Sequence, residues 1–133
     1  MPFETIATGI APSSAPVSDA NRAGNHVWLV AIAENPQTGD IVQGGIEAQT
    51  RQTLKNLDQA VRAAGGTLAD IVDVRVFLID RADAKGMNAV YAEFFAKPYP
   101  VRATVVVKEL LADGLRIEIT ATAVLANSAP AGT

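Results

Sequence analysis

Residues 115–124 read Leu-Arg-Ile-Glu-Ile-Thr-Ala-Thr-Ala-Val. Successive side chains of an extended strand point to opposite faces, so Leu115, Ile117, Ile119, Ala121 and Ala123 fall on one side. Arg116, Glu118, Thr120 and Thr122 fall on the other. A strand patterned this way belongs to a sheet with one apolar face, and that face needs a cover. Two upstream segments can supply it. Ile46, Thr50, Leu54, Leu57, Val61 and Ala64 recur at three- and four-residue steps, with Arg51, Lys55, Asp58 and Arg62 between them, which predicts an amphipathic helix. Gly44-Gly45 precede it, and Gly65-Gly66 follow it with the freedom a left-handed C-cap requires. Asp80 is suited to N-cap a second helix over roughly Arg81–Ala96, with Met87, Val90, Tyr91, Phe94 and Phe95 on its inner stripe and Pro98 and Pro100 ending it.

The remaining strands are His26–Ile32, between turns; Ile71–Ile79, whose density of Val, Ile, Leu and Phe reads as burial on both faces; and Val101–Val107. Asn35-Pro-Gln-Thr-Gly39 is a turn by composition, and Asp113-Gly114 marks the connection into the last strand. The order β-β-α-β-α-β-β predicts an α+β fold with both helices on one face of a mixed sheet. Within Val101–Val107, Arg102 and Thr104 share a face opposite Val101, Ala103 and Val105. The sheet side that holds Glu118 then lacks a cover, and a second copy of the chain is the expected one.

A chain of 133 residues makes one domain, here 1–125, and the small, turn-forming residues Ala126–Thr133 read as a frayed tail. Apolar residues at 49% against 19% charged are enough for a folded core. A net charge of -3 argues against a nucleic-acid partner, whose binding rests on neutralising phosphates. The absence of cysteine removes disulfides, thiolate nucleophiles and zinc-thiolate sites, and the single histidine, His26, cannot build a multi-histidine metal site or a Ser-His-Asp triad. No metal and no cofactor is expected. No apolar run approaches the ~18 residues of a membrane span and no signal segment opens the chain, so the cytoplasm is the expected location, with no membrane partner. His26 reads as a turn or edge residue, and Gly44-Gly45 lack the lysine of a phosphate-binding loop.

Several blocks carry a further pattern: Arg51-Gln-Thr-Leu-Lys-Asn-Leu57, Gly65, Asp70-Ile-Val, Val76-Phe-Leu, Asn88-Ala-Val-Tyr-Ala-Glu-Phe-Phe95, Pro100-Val-Arg-Ala-Thr104 and Ile117-Glu-Ile119 with Ala121 and Ala123. In order and spacing, from Pro12 to Leu125, the chain resembles the RidA (YjgF-type) family. The resemblance implies a six-stranded mixed sheet with two helices on one face, of the chorismate-mutase-like type, and homotrimers with three clefts between subunits. It also implies hydrolysis of reactive 2-enamine and 2-imine carboxylates to 2-keto acids and ammonia. The family arginine that grips the substrate carboxylate matches Arg102, and the family glutamate near the attacked carbon matches Glu118. Asn88 matches an asparagine around the site, and Thr104 stands where relatives have Cys or Thr; Ala103, Val17 and Ala31 complete the substrate-binding set this implies. The front third departs from the pattern. Val17 replaces the tyrosine of a Gly-Pro-Tyr segment, and Val30-Ala-Ile-Ala33 replaces a Ser-Gly-Gln turn, which points to a larger or more apolar substrate.

The two candidate residues suit this chemistry on their own terms. An imine carboxylate is an anion with an electrophilic carbon beside its charge, so a catalyst needs a fixed cation and a positioned water. The planar fork of Arg102 can hold a carboxylate by two charge-assisted hydrogen bonds, and Glu118 can orient water and pass a proton to the departing nitrogen. The alternatives are ordinary ion pairs, between Glu118 and Arg102 or Arg116, and a non-catalytic module that binds a small carboxylate or a partner protein. Catalysis requires Arg102 and Glu118 to face one pocket where copies of the chain meet.

Overall fold

In the computed structural model, which describes residues 2–126, six strands and two α-helices follow the order β1 (Glu4–Thr5), β2 (Ala20–Ala23), β3 (His26–Ile32), α1 (Gly45–Ala63), β4 (Ile71–Leu78), α2 (Ala84–Phe94), β5 (Val101–Val106) and β6 (Ile117–Val124). The expected tail, beyond Ala126, lies outside the described residues. The strands form one sheet in the order β1-β2-β3-β6-β4-β5, antiparallel except for the parallel pair β4 and β5 that α2 connects. Among the described residues no helix is long and apolar enough to cross a membrane.

The alternation expected of the last strand is observed: Ile117, Ile119, Ala121 and Ala123 are buried, and Glu118, Thr120 and Thr122 are half-buried. The buried face packs on Leu54, Leu57 and Val61 of α1 and on Met87 and Val90 of α2, all withdrawn from solvent. Helix α1 ends as the glycines predict, with Gly65 at φ 98 and the orphan carbonyl of Ala64 accepting from Arg22 Nη1 at 2.9 Å.

Two expectations need correction. Asp80 does accept from the Ala82 backbone N–H at 2.9 Å, but it caps a 3₁₀ turn, Arg81–Asp83, and the α-helix begins only at Ala84. β4 is not buried on both faces: Ile71, Val74, Val76 and Leu78 are buried, whereas Val72 and Arg75 are exposed. A register shift between Ile71 and Asp73 lets Ile71 and Val74 face the helices together although three residues apart. The two-residue β1 is a sixth strand that composition does not announce, too short to carry a period.

The side of the sheet away from the helices is bare. It presents Trp28, 47% exposed, Val105, 45%, and Val101, 68%, and every residue of the edge strand β5 is exposed. At one end of this face the chain leaving β3 is pinned to α1. The buried Asn56 donates from Nδ2 to the carbonyls of Ile32 at 2.9 Å and Glu34 at 2.8 Å. Asn56→Ala leaves the Glu34 carbonyl without a partner, at a cost of about 1–3 kcal/mol, and removes one of two bonds to the Ile32 carbonyl, which keeps the Glu34 N–H at 2.9 Å. Urea unfolding should show a loss of roughly 2–4 kcal/mol with an unchanged m-value; a loss no larger than an average surface change would contradict this anchoring role.

Candidate active site

Glu118 occupies the middle of the sheet's bare side, level with Ile32 of β3 and Phe77 of β4. It borders a cavity of about 740 Å³ walled also by Val17, Asp19, Ile32, Glu34 and Leu110. Among the described residues its carboxylate has no hydrogen-bond or ion-pair partner. Arg116, the neighbouring candidate, is held instead by Asp83, accepting from Nε at 2.9 Å and Nη2 at 3.0 Å. Burial with no compensating cation pushes the Glu118 carboxyl above its ordinary range. Glu34 is raised for the same reason and additionally by the charge of Asp19; Asp19 is raised by burial, offset in part by the hydroxyl of Thr8. Val17 is an exposed part of the cavity wall. Ala31 borders the cavity too, but it is level with the buried Ile119, so its side chain belongs to the helix-covered layer.

Arg102 is elsewhere. It is level with Val74 of β4, and Thr104 with Val76, both buried beneath the helices, so Arg102 and Thr104 emerge at the sheet edge on the helix side. Glu118 is level with Phe77 and Phe77 with Val105, which puts Ala103 and Val105 on the side of Glu118. Within one chain, therefore, the expected meeting of Arg102 and Glu118 in one pocket does not occur. Residue parity along β5 fixes this, because neighbours across a ladder share a face and sequential residues do not.

Helix α2 surrounds the Arg102 side chain. Nη2 donates to Asn88 Oδ1 at 2.7 Å, Nη1 lies 3.9 Å from Met87 Sδ, and the guanidinium carbon stands 4.6 Å from the centroid of the Tyr91 ring. Asn88 thus touches the arginine, not the cavity. Tyr91 is buried, as its place on the inner stripe of the helix predicts, and its ring also meets the Arg102 guanidinium, a contact that the sequence pattern did not announce. Burial raises the Tyr91 hydroxyl above its usual range, and the positive charge of Arg102 offsets part of the rise. Among the described residues no three His, Cys, Asp or Glu side chains gather to hold a metal ion.

The raised carboxyls of the cavity bear on stability. A group whose folded pKa lies above its unfolded one stabilises the fold fully at low pH, and that contribution is lost as pH rises through the folded value. Glu34→Gln removes one such group, so it should raise the unfolding temperature near neutral pH and leave it unchanged below about pH 4, where carboxyls are protonated in both states. Thermal scans across that range test this, and a variant less stable than the parent at neutral pH would refute it.

The sequence profile of the Endoribonuclease L-PSP family matches residues 8–125. A RutC family protein of Pyrococcus horikoshii is 44% identical over 122 residues, 90% of this chain and 96% of the relative. A 2-iminobutanoate/2-iminopropanoate deaminase of Dermatophagoides farinae is 37% identical over 120 residues, 89% of this chain and 93% of the relative. The crystal structure of RidA from an Antarctic Psychrobacter matches with a TM-score of 0.86 at 33% identity, covering 92% of this chain and 99% of that one. With the profile spanning nearly every described residue and the same sheet and helices in a solved relative, the chain belongs to the Endoribonuclease L-PSP family, also known as YjgF/RidA.

Proposed function

We propose that the protein hydrolyses reactive 2-enamine and 2-imine carboxylates to 2-keto acids and ammonia, as a homotrimer in the cytoplasm, at sites that two copies build together. The observation that carries this reading is the separation of two complementary half-sites. Arg102 stands at the edge of the sheet on the helix side, and an unpaired Glu118 lines a cavity on the bare side. A surface that complements a different surface of the same molecule makes a head-to-tail contact, and such contacts close into a ring where the rotation between copies divides a full turn. Trp28, Val101 and Val105, exposed on the bare face, and the unprotected edge of β5 favour burial between copies. The ring of three is drawn from the family.

In such a site Arg102 of one copy grips the carboxylate and holds the imine carbon against a water beside Glu118 of the next. Positioning of this kind can supply several of the ~7–11 kcal/mol available to well-oriented reactants. Glu118 accepts a proton from water as its oxygen bonds to C2 and the C=N π pair moves onto nitrogen, and it returns that proton to the nitrogen. It then takes the hydroxyl proton of the resulting carbinolamine as the carbonyl forms and the C–N bond breaks, and passes it to the departing nitrogen. Ammonia departs, the keto acid remains, and the carboxyl ends as it began. A carboxyl raised by burial works nearer neutral pH than an exposed one, which suits both directions of transfer. Val17 and Ile32 on the wall favour a substrate larger or more apolar than the smallest imines. RNA cleavage is disfavoured, because a net charge of -3 and a cavity holding Asp19, Glu34 and Glu118 oppose a phosphate backbone.

Keto-acid release from a threonine- or serine-dehydratase reaction, with a trapping amine present, tests the activity. The protein should accelerate release, Arg102→Ala should abolish the effect, and Glu118→Gln should cost ~10²–10⁴-fold in kcat. Co-refolding the two inactive variants at equal amounts should restore roughly a quarter of wild-type activity, since random assortment in a ring regenerates that share of intact sites. No acceleration on several 2-imino acids, with carboxylate binding retained, would reduce the protein to a binding module; no recovery on mixing would refute the shared site.

A further inference from the structure

The guanidinium of Arg102 is exposed at the end of a long side chain on an edge strand, a setting in which an arginine ordinarily samples many rotamers. Here it rests on a prepared surface. Tyr91 is 7% exposed, and its ring faces the guanidinium carbon at 4.6 Å, within the range of a cation–π contact. Phe95 stacks on the same ring with centroids 4.5 Å apart and planes inclined by 23°. The ring is therefore backed by a second aromatic. Asn88 Oδ1, accepting from Nη2 at 2.7 Å, adds a directional contact that a ring face cannot provide. The two acceptors on α2, Asn88 and the weak thioether of Met87, occupy two of the five guanidinium N–H groups. Three remain without an acceptor among the described residues, enough for a two-point carboxylate grip.

We propose that Tyr91 is a positioning residue: its ring face, braced by Phe95, sets the plane of the Arg102 guanidinium, and Asn88 sets its rotation within that plane. The inference rests on the reading of Arg102 as the carboxylate grip. The ring carries the effect and the hydroxyl does not, because Tyr91 Oη is buried without a hydrogen-bond partner among the described residues. An arginine ordered before substrate arrives loses less freedom on binding, so the gain belongs to substrate affinity and not to the chemical step.

Steady-state kinetics of Tyr91→Phe and Tyr91→Leu separate ring from hydroxyl. Tyr91→Phe should stay within about two-fold of wild type in both constants, whereas Tyr91→Leu should raise KM about five- to ten-fold with kcat nearly unchanged, the span expected for one lost cation–π contact. A structural defect would instead lower the active fraction, and so kcat. An NMR measurement needs no turnover: the side-chain Nε–Hε signal of Arg102 should lie upfield in wild type and in Tyr91→Phe, from the ring current, and return downfield in Tyr91→Leu. An unaltered KM in Tyr91→Leu, equal damage in Tyr91→Phe, or no upfield displacement in wild type overturns the inference. If Tyr91→Leu fails to fold, the wild-type and Tyr91→Phe signals still decide. Wild-type protein inactive on every imine would instead sink the proposed function, while normal turnover lost in Arg102→Ala but untouched in Tyr91→Leu would sink only this inference.

Discussion

Burying one face of β6 under two helices is the constraint from which the rest follows. Ile117, Ile119, Ala121 and Ala123 can leave water only if their neighbours on β3 and β4 lie level with them, so the register of the central strands is locked by the apolar layer. The same lock decides what happens on the other side. Glu118, Thr120 and Thr122 are carried to the bare face whether or not anything there welcomes them. A two-helix layer can cover only one side, and the uncovered side keeps Trp28, Val101 and Val105 against solvent.

This geometry explains the electrostatics of the site. Had Arg102 and Glu118 emerged on one face of adjacent strands, they could have neutralised each other, leaving a salt bridge of little worth and little reactivity. Register keeps them apart, and each finds a different environment. Glu118 is half-buried without a partner, so its charged form is penalised by desolvation. Arg102 meets an aromatic face and an amide oxygen, which direct its fork without cancelling its charge. A cation held but not neutralised and a carboxyl desolvated but not paired are the two components that the proposed hydrolysis uses.

Particular residues show how far the chain can be read without coordinates. The alternation of 115–124 and the three- and four-residue steps of 46–64 are local periods, and both elements appear where those periods place them, to within two residues at each end. Arg102 and Thr104 were legible as sharing a face for the same reason. What failed was anything that depended on a second element. The full burial expected of β4 assumed a cover on both sides, the register with Ile119 that turns the Ala31 side chain inward is set by a distant strand, and the contact of the core residue Tyr91 with Arg102 exists only once α2 lies beside the edge strand.

The amino-acid sequence by itself determined the main elements, the α+β class and the kinship with the RidA family, and it singled out an arginine and a glutamate as candidates, because periods and motifs are properties of consecutive residues. The tertiary structure alone decided that these two groups leave the sheet on opposite faces. The reason is physical: which side a residue takes depends on its parity relative to strands far away in the chain, and that parity is set only when β4, β5 and β6 pair.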